Sequence, residues 1–130
     1  MDNRIKYIIS QFSAKDMEFL NHASAFDAPV YCAVEEIDGL PAGFIEASPQ
    51  ENDIYINIGI VPKRRGNKLA KKLFSGLLSW FVMTKYDGIL WNAHENNVAS
   101  IDLALKLGFK EFYPPNQHKH NKMRFFALGK

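Results

Sequence analysis

The chain has 130 residues, a net charge of +2 at neutral pH and 47% hydrophobic residues. That length is expected to give one domain with a real core and no room for a second, and so small a positive excess argues against nucleic acid as the main partner. The N-terminus opens Asp2-Asn3-Arg4 with no long apolar run, so neither a signal peptide nor a membrane span is expected, and a cytoplasmic location is.

Ile5 to Ile9 is a short apolar run with strand character, broken by Ser10 and Gln11. Ser13 with Asp16 three residues on is a capping signal, and Met17, Leu20, Ala23 and Phe26 continue it as a helix closed by Asp27 and Pro29. Val30 to Ile37 reads as a strand, Asp38-Gly39 as a hairpin turn, and about Ala42 to Ala47 as the return strand. The lone Cys32 has no partner for an internal disulfide and, in its apolar strand, reads as a buried thiol. Pro49 to Asn52 then turns the chain into a run with isoleucine at 54, 56, 58 and 60, a strand with one face firmly buried. Gly59 interrupts this strand, either as a bulge where a ligand meets the backbone or as packing room for a neighbouring side chain.

Pro62 to Lys68 is a short basic turn, followed by a helical pattern at Leu69, Ala70, Leu73, Phe74, Leu77, Trp80 and Phe81. A strand, a tight turn and a helix N-terminus gather unpaired backbone N–H groups in front of the positive end of a helix dipole, a geometry that binds phosphate. The turn lacks the Gly-Lys-Ser/Thr of a Walker loop and has only Gly66 of the three glycines of a dinucleotide loop. Taken alone, Lys63, Arg64, Arg65, Lys68, Lys71 and Lys72 would more often be a solvated face or a nucleic-acid patch.

Tyr86-Asp87-Gly88 turns the chain into Ile89 to His94, a strand expected to run parallel to the isoleucine strand because a crossover helix separates them. Asn97 is a plausible N-cap and Gly108 a plausible stop for the next helix, and Lys110 to Tyr113 and Met123 to Leu128 read as closing strands. His118 and His120 have a metal-like spacing, but no carboxylate or cysteine accompanies them, so they are read as loop histidines and no metal is assigned.

The basic turn resembles the acyl-CoA turn of the GNAT N-acetyltransferase superfamily, R/Q-x-x-G-x-G/A after a strand ending in an apolar pair and a proline. Arg65 fills its first position and Ala70 its last, with Gly66 where many members have glycine and Lys68 in place of the usual middle glycine. Backbone at a helix N-terminus is expected at negative φ, which accommodates a lysine. A second signature, N-x-x-A/S followed by a short helix and L-G-F, is matched by Asn97 through Leu107-Gly108-Phe109. The resemblance covers roughly residues 30 to 128.

It implies an α/β (α+β) fold with a mixed, mostly antiparallel central sheet, one splayed parallel strand pair, and helices on both faces. It also implies transfer of an acetyl group from acetyl-CoA to a primary amine of a small molecule or peptide by direct attack. The alternative is a GNAT-like acyl-CoA-binding module with little or no turnover. Implied cofactor contacts are main-chain N–H groups near Ile60 and Val61, the amides of Arg65, Gly66, Asn67, Lys68, Leu69 and Ala70, and Asn97 at the mouth of the parallel pair. Where many members carry a tyrosine acid this chain has Ala104, and the usual carboxylate positions are Asn57 and Asn92, which take no proton at neutral pH. His94, two residues beyond Asn92 on the same strand face, titrates in the right range for a base, so His94 and Asn57 are the candidate catalytic positions. Ser100 is a candidate relay, while Glu46, Tyr55 and Tyr113 are not placed by the sequence. Only one short helix fits between the first strand and Val30, where many relatives have two, which implies an open acceptor cleft or one completed by the second subunit of a homodimer.

Overall fold

In the computed structural model, which describes residues 2–19, 28–66, 68–114 and 122–130, six strands form one mixed sheet. The strands are β1 (Tyr31–Ile37), β2 (Leu40–Gln50), β3 (Asp53–Ile60), β4 (Gly88–His94), β5 (Lys110–Phe112) and β6 (Met123–Gly129), in the order β1-β2-β3-β4-β6-β5. The pair β3–β4 is parallel and every other neighbouring pair is antiparallel, as expected from the crossover between them. The helices are α1 (Asn3–Ser10), α2 (Ala14–Phe19), α3 (Leu69–Phe81) and α4 (Val98–Lys106). No helix among the described residues is long and apolar enough to cross a membrane.

The first apolar run corrects the sequence reading, because Ile5 to Ile9 lies in helix α1 rather than in a strand, so two helices and not one precede Val30 and the expectation of an open cleft loses its basis. Asp2 caps that helix by accepting the Arg4 N–H at 2.8 Å. Ile5 and Ile8, one helical turn apart, are both buried against Phe44 of β2, with Ile9 and Phe12 beside them. Five apolar residues are too few for periodicity to separate helix from strand, and the cap decides it. The Ser13–Asp16 signal holds: each residue's backbone N–H donates to the other's side chain at the start of α2. Leu20, Ala23 and Phe26 lie outside the described residues, as do His118 and His120.

The hairpin at Asp38-Gly39 is built from two left-handed residues, φ 55° and 81°, the conformation a two-residue turn needs. Strand β2 runs beyond Ala47 to Gln50, so the turn into β3 is Glu51-Asn52 alone. Pro49 is tolerated because β1 pairing stops at Ala47 and Val61 N–H bonds Ala42, a register that directs the Pro49 nitrogen away from β3. Cys32 is exposed, not buried, because β1 is an edge strand.

Alternation along β3 sorts its side chains cleanly. Ile54 and Ile56 join the core with Leu69, Leu73, Phe74, Leu77 and Phe81 of α3, while Tyr55, Asn57 and Gly59 project to the α1 side. Opposite Gly59 the β2–β3 register is unbroken, and a Cβ there would lie 2.3 Å from Phe44 Cε1. Packing room for Phe44, not a bulge, explains this glycine. Asn97 caps α4 by accepting the Ser100 N–H at 3.3 Å, and Gly108, at φ 96°, ends it.

Candidate active site

Parallel strands place their carboxyl ends at one edge of a sheet, and here both are followed by a helix N-terminus. Pairing between β3 and β4 runs only from Asp53↔Gly88 to Tyr55↔Leu90. Beyond it, β3 stays paired with β2 as far as Ile60 and β4 stays paired with β6 as far as His94. The two strands therefore part, and the opening between them leads to the starts of α3 and α4. Val61 N–H donates to the Ala42 carbonyl at 2.8 Å, so it is already engaged and is not an oxyanion donor. Because donors alternate along a strand, the neighbouring Ile60 N–H points the other way, toward the opening.

The basic turn after β3 begins with a single 3-10 turn, Pro62–Arg64, and continues through Gly66 at φ 88°. Lys68 then has φ 60° and ψ 19°, so the expectation of negative φ at this position is overturned. The left-handed residue is where the family signature usually places its middle glycine, and it aims the chain into α3. No side chain caps this helix, and its first internal bond runs from Lys72 N–H to Lys68 C=O. The N–H groups of Leu69, Ala70 and Lys71 therefore have no acceptor within the helix. Leu69 is 8% exposed, which anchors that first turn to the core. Asn67 lies outside the described residues.

Charge pairing divides the six cations of this region. Arg64 pairs with Asp38 at 3.2 Å, Arg65 with Asp16 at 2.8 Å and Lys72 with Glu35 at 3.3 Å. Among the described residues no ion pair engages Lys63, Lys68 or Lys71. Half of the cluster is thus tied into the fold by ion pairs.

Arg65 is a bracket as well as a member of the turn. Its Nε donates to the Ile60 carbonyl at 3.1 Å, its guanidinium meets Asp16, and it lies 5.4 Å from the centre of the Phe12 ring. Burial alone would raise the Asp16 pKa, but the hydrogen bonds from Arg65 and Ser13 outweigh it and hold the carboxyl below its ordinary value. Arg65 thereby ties the turn to the start of α2 and to the last residue of β3.

On the α1 side of the sheet, polar side chains border the place where the strands part. Tyr55 and Asn57 stand on β3, and Leu90, Asn92 and His94 on the matching face of β4. Burial pushes the Tyr55 phenol up, so it stays protonated. His94 Nδ1 accepts the Asn96 N–H at 3.1 Å. This contact ties the ring to the turn that follows β4. Ser100 Oγ accepts the Trp91 indole N–H at 3.1 Å, a structural contact, and Ala104 is fully buried in the core.

Glu46 was left unplaced by the sequence, and the structure places it. It is 1% exposed, the one buried charged side chain among the described residues, and it stands opposite Asn57 across the β2–β3 pair. Asn57 Nδ2 donates to its Oε1 at 3.3 Å. The signal in the sequence was a single charge inside the apolar segment from Ala42 to Ala47.

Comparison with known proteins places this geometry in context. The family model described as the Acetyltransferase (GNAT) family matches residues 4–109. Among solved structures, the chain is similar to yncA from Salmonella typhimurium, solved with its cofactor acetyl-CoA. That match has a TM-score of 0.65 and 21% identity over 75% of this chain and 63% of the other. It is also similar to the ribosomal-protein-S18-alanine N-acetyltransferase from Escherichia coli, with a TM-score of 0.72 and 16% identity over 98% and 86% of the two chains. A domain from Methanocaldococcus jannaschii gives a TM-score of 0.76 and 16% identity over 100% and 94%. At these identities the likeness is one of fold. No curated protein matches the sequence.

Proposed function

The chain belongs to the GNAT acetyltransferase family, and on that premise we propose that it transfers the acetyl group of acetyl-CoA to a primary amine by direct attack. The observation that carries this reading is the uncapped start of α3, reached through Gly66 and the left-handed Lys68, at the same sheet edge as the opening between β3 and β4. Three outward N–H groups, the helix dipole and the cations of Lys68 and Lys71 suit a diphosphate. Arg65, Gly66, Lys68, Leu69 and Ala70 would hold it through their backbone, with Asn97 contributing from the start of α4. Acetyl-CoA supplies the activated acyl group when bound.

The chain's own groups then account for the rest. Ile60 N–H, aimed into the opening, is the donor for the oxyanion that develops during attack; one such donor is typically worth about a hundredfold to a thousandfold in rate. Free thiols have pKa values near ~8.5, so the leaving group needs little help from an acid. That suits a site with Ala104 where many relatives have tyrosine. The acceptor amine enters from the α1 side, where Tyr55, Asn57, Asn92 and His94 line the approach. A relative of this fold is named for acetylating an alanine of a ribosomal protein, which makes peptide amines reasonable acceptors beside small ones.

The test is thiol release from acetyl-CoA with small amines, peptide N-termini and lysine peptides, run beside calorimetric CoA binding. Turnover with any amine supports transfer. CoA binding without turnover on any acceptor favours an acyl-CoA-binding module, and failure to bind CoA removes both readings.

A further inference from the structure

Arg65 has its backbone in the turn that leads into α3, yet its guanidinium lies beside Phe12 and Asp16, which belong to the α1–α2 segment. On the way it meets the Ile60 carbonyl, to which Nε donates at 3.1 Å. Ile60 faces Gly43 across β2–β3, and the bond from Val61 N–H to the Ala42 carbonyl makes this a pair with no bonds of its own. Both the N–H and the C=O of Ile60 are therefore directed away from β2, toward the side from which β4 has parted after Tyr55↔Leu90. A donor and an acceptor thus lie side by side at the end of β3. Arg65 Nε occupies the acceptor, and the donor faces the opening. Left bare, that carbonyl would set a negative partial charge beside the place proposed for the acyl oxygen.

We propose that Arg65 is a positioning residue for acyl transfer: by holding the Ile60 carbonyl through Nε, it fixes the end of β3 so that the Ile60 N–H meets the thioester oxygen of bound acetyl-CoA. This deepens the transfer reading and rests on it. The Ile60–Val61 peptide is held at its oxygen by Arg65 and at its nitrogen by the Ala42 carbonyl, so the strand end cannot turn. A donor aimed in advance is what oxyanion stabilisation requires. The role belongs to the Nε position rather than to the charge. Nε is bonded to Cδ, and so is the amide nitrogen of glutamine, which therefore carries an N–H donor at the same reach. Lysine has a methylene there, with its ammonium one atom further out, toward Asp16. Asp16 and the Phe12 ring steady the guanidinium head beyond Nε.

The experiment swaps donor and charge. Acetyl-CoA labelled with carbon-13 at the thioester carbonyl is bound to wild type, Arg65→Gln, Arg65→Lys and Asp16→Asn, and its carbonyl band is read by infrared difference spectroscopy. Single-turnover thiol release is measured on the same proteins with two peptides, one bearing a free N-terminal alanine and one a single lysine. Saturating acetyl-CoA keeps changes in affinity out of the rate. Wild type is expected to move the band below that of free acetyl-CoA, as a hydrogen bond to the oxygen does. Arg65→Gln should keep the shift and a rate within about threefold of wild type, since a neutral donor replaces a charged one at the same place. Asp16→Asn should keep both. Arg65→Lys retains the cation but should lose most of the shift and about tenfold or more in rate, part of the hundredfold or more that one oxyanion donor carries. The reverse order, lysine active and glutamine poor, overturns the proposal in favour of charge pairing. A wild-type band at the free position, or indifference to both substitutions, overturns it too. Should Arg65→Lys fail to fold, Arg65→Met, which has no donor, takes its place under the same criteria. Failure of wild type to bind acetyl-CoA defeats the transfer reading and the proposal with it. Binding without thiol release on either peptide bears on the transfer reading alone, because the band comparison decides the role of Arg65 without an acceptor.

Discussion

Replacing Lys68 with glycine should make this protein more stable, although it removes a side chain from the region proposed to hold the diphosphate. Lys68 sits at φ 60°, ψ 19°, where its Cβ crowds the adjoining carbonyl. That conformation costs an L-residue about 1–2 kcal/mol. Glycine avoids the clash but loses about 0.5–1 kcal/mol more conformational entropy on folding. The difference favours Lys68→Gly by roughly 0.5–1 kcal/mol, and removing a cation from a helix N-terminus adds about 0.3 kcal/mol in the same direction. For a chain of this size that corresponds to a melting temperature about 2–5 °C higher. Lys68→Ala separates the two contributions, since it removes the charge but keeps the Cβ, and should gain no more than about 0.3 kcal/mol. The assay is thermal and urea unfolding of the three proteins at one pH and ionic strength. Equal stability of the glycine and alanine variants would refute the left-handed backbone at this position. A glycine variant less stable than wild type would show that the Lys68 side chain makes a contribution larger than its backbone strain.

Gly59→Ala should destabilise by about 1–3 kcal/mol in urea unfolding, because the new methyl group meets the buried Phe44 ring, with Phe12 behind it. Arg65→Glu, expected from the turn alone to weaken cofactor binding selectively, should instead lower the melting temperature as well, since it sets a carboxylate against Asp16 and the Ile60 carbonyl. Asp16 has a lowered folded-state pKa, so its ionised form contributes stability that is fully present above its ordinary value of 3.8 and is lost as pH falls through the folded value. An Asp16→Asn variant should therefore lose stability relative to wild type at pH 6 and converge with it in acid; a constant difference across that range would contradict the pairing. Trp91→Phe should cost about 0.5–1.5 kcal/mol by removing the bond to Ser100, with CoA affinity unchanged in calorimetry.

The basic turn and the helix after it were legible because their signals are local. A period-two isoleucine run, a basic turn with glycine and a helical apolar stripe each declare themselves within a dozen residues, and they occur in an order that few folds share. The hairpin at Asp38-Gly39 and the stop at Gly108 are legible for the same reason, since positive φ is a property of single residues. Ile5 to Ile9 was misread because its partners, Phe44 and the β2 face, lie far away in sequence, and alternation over five residues cannot choose between two periods. Cys32 was misplaced because edge and interior strands carry similar residues, and only the strand order distinguishes them.

By itself, then, the order of residues determined the mixed sheet with its parallel pair, the position of the basic turn and the family to which the chain belongs. Tertiary structure alone decided which groups within that frame are available. It committed the Val61 N–H to Ala42, the His94 Nδ1 to Asn96 and the Arg65 guanidinium to Asp16, and it set Glu46 behind Asn57. The reason is physical: backbone conformation answers to neighbouring residues, whereas a hydrogen bond belongs to whichever donor and acceptor the packing brings within about 3 Å, however distant they are along the chain.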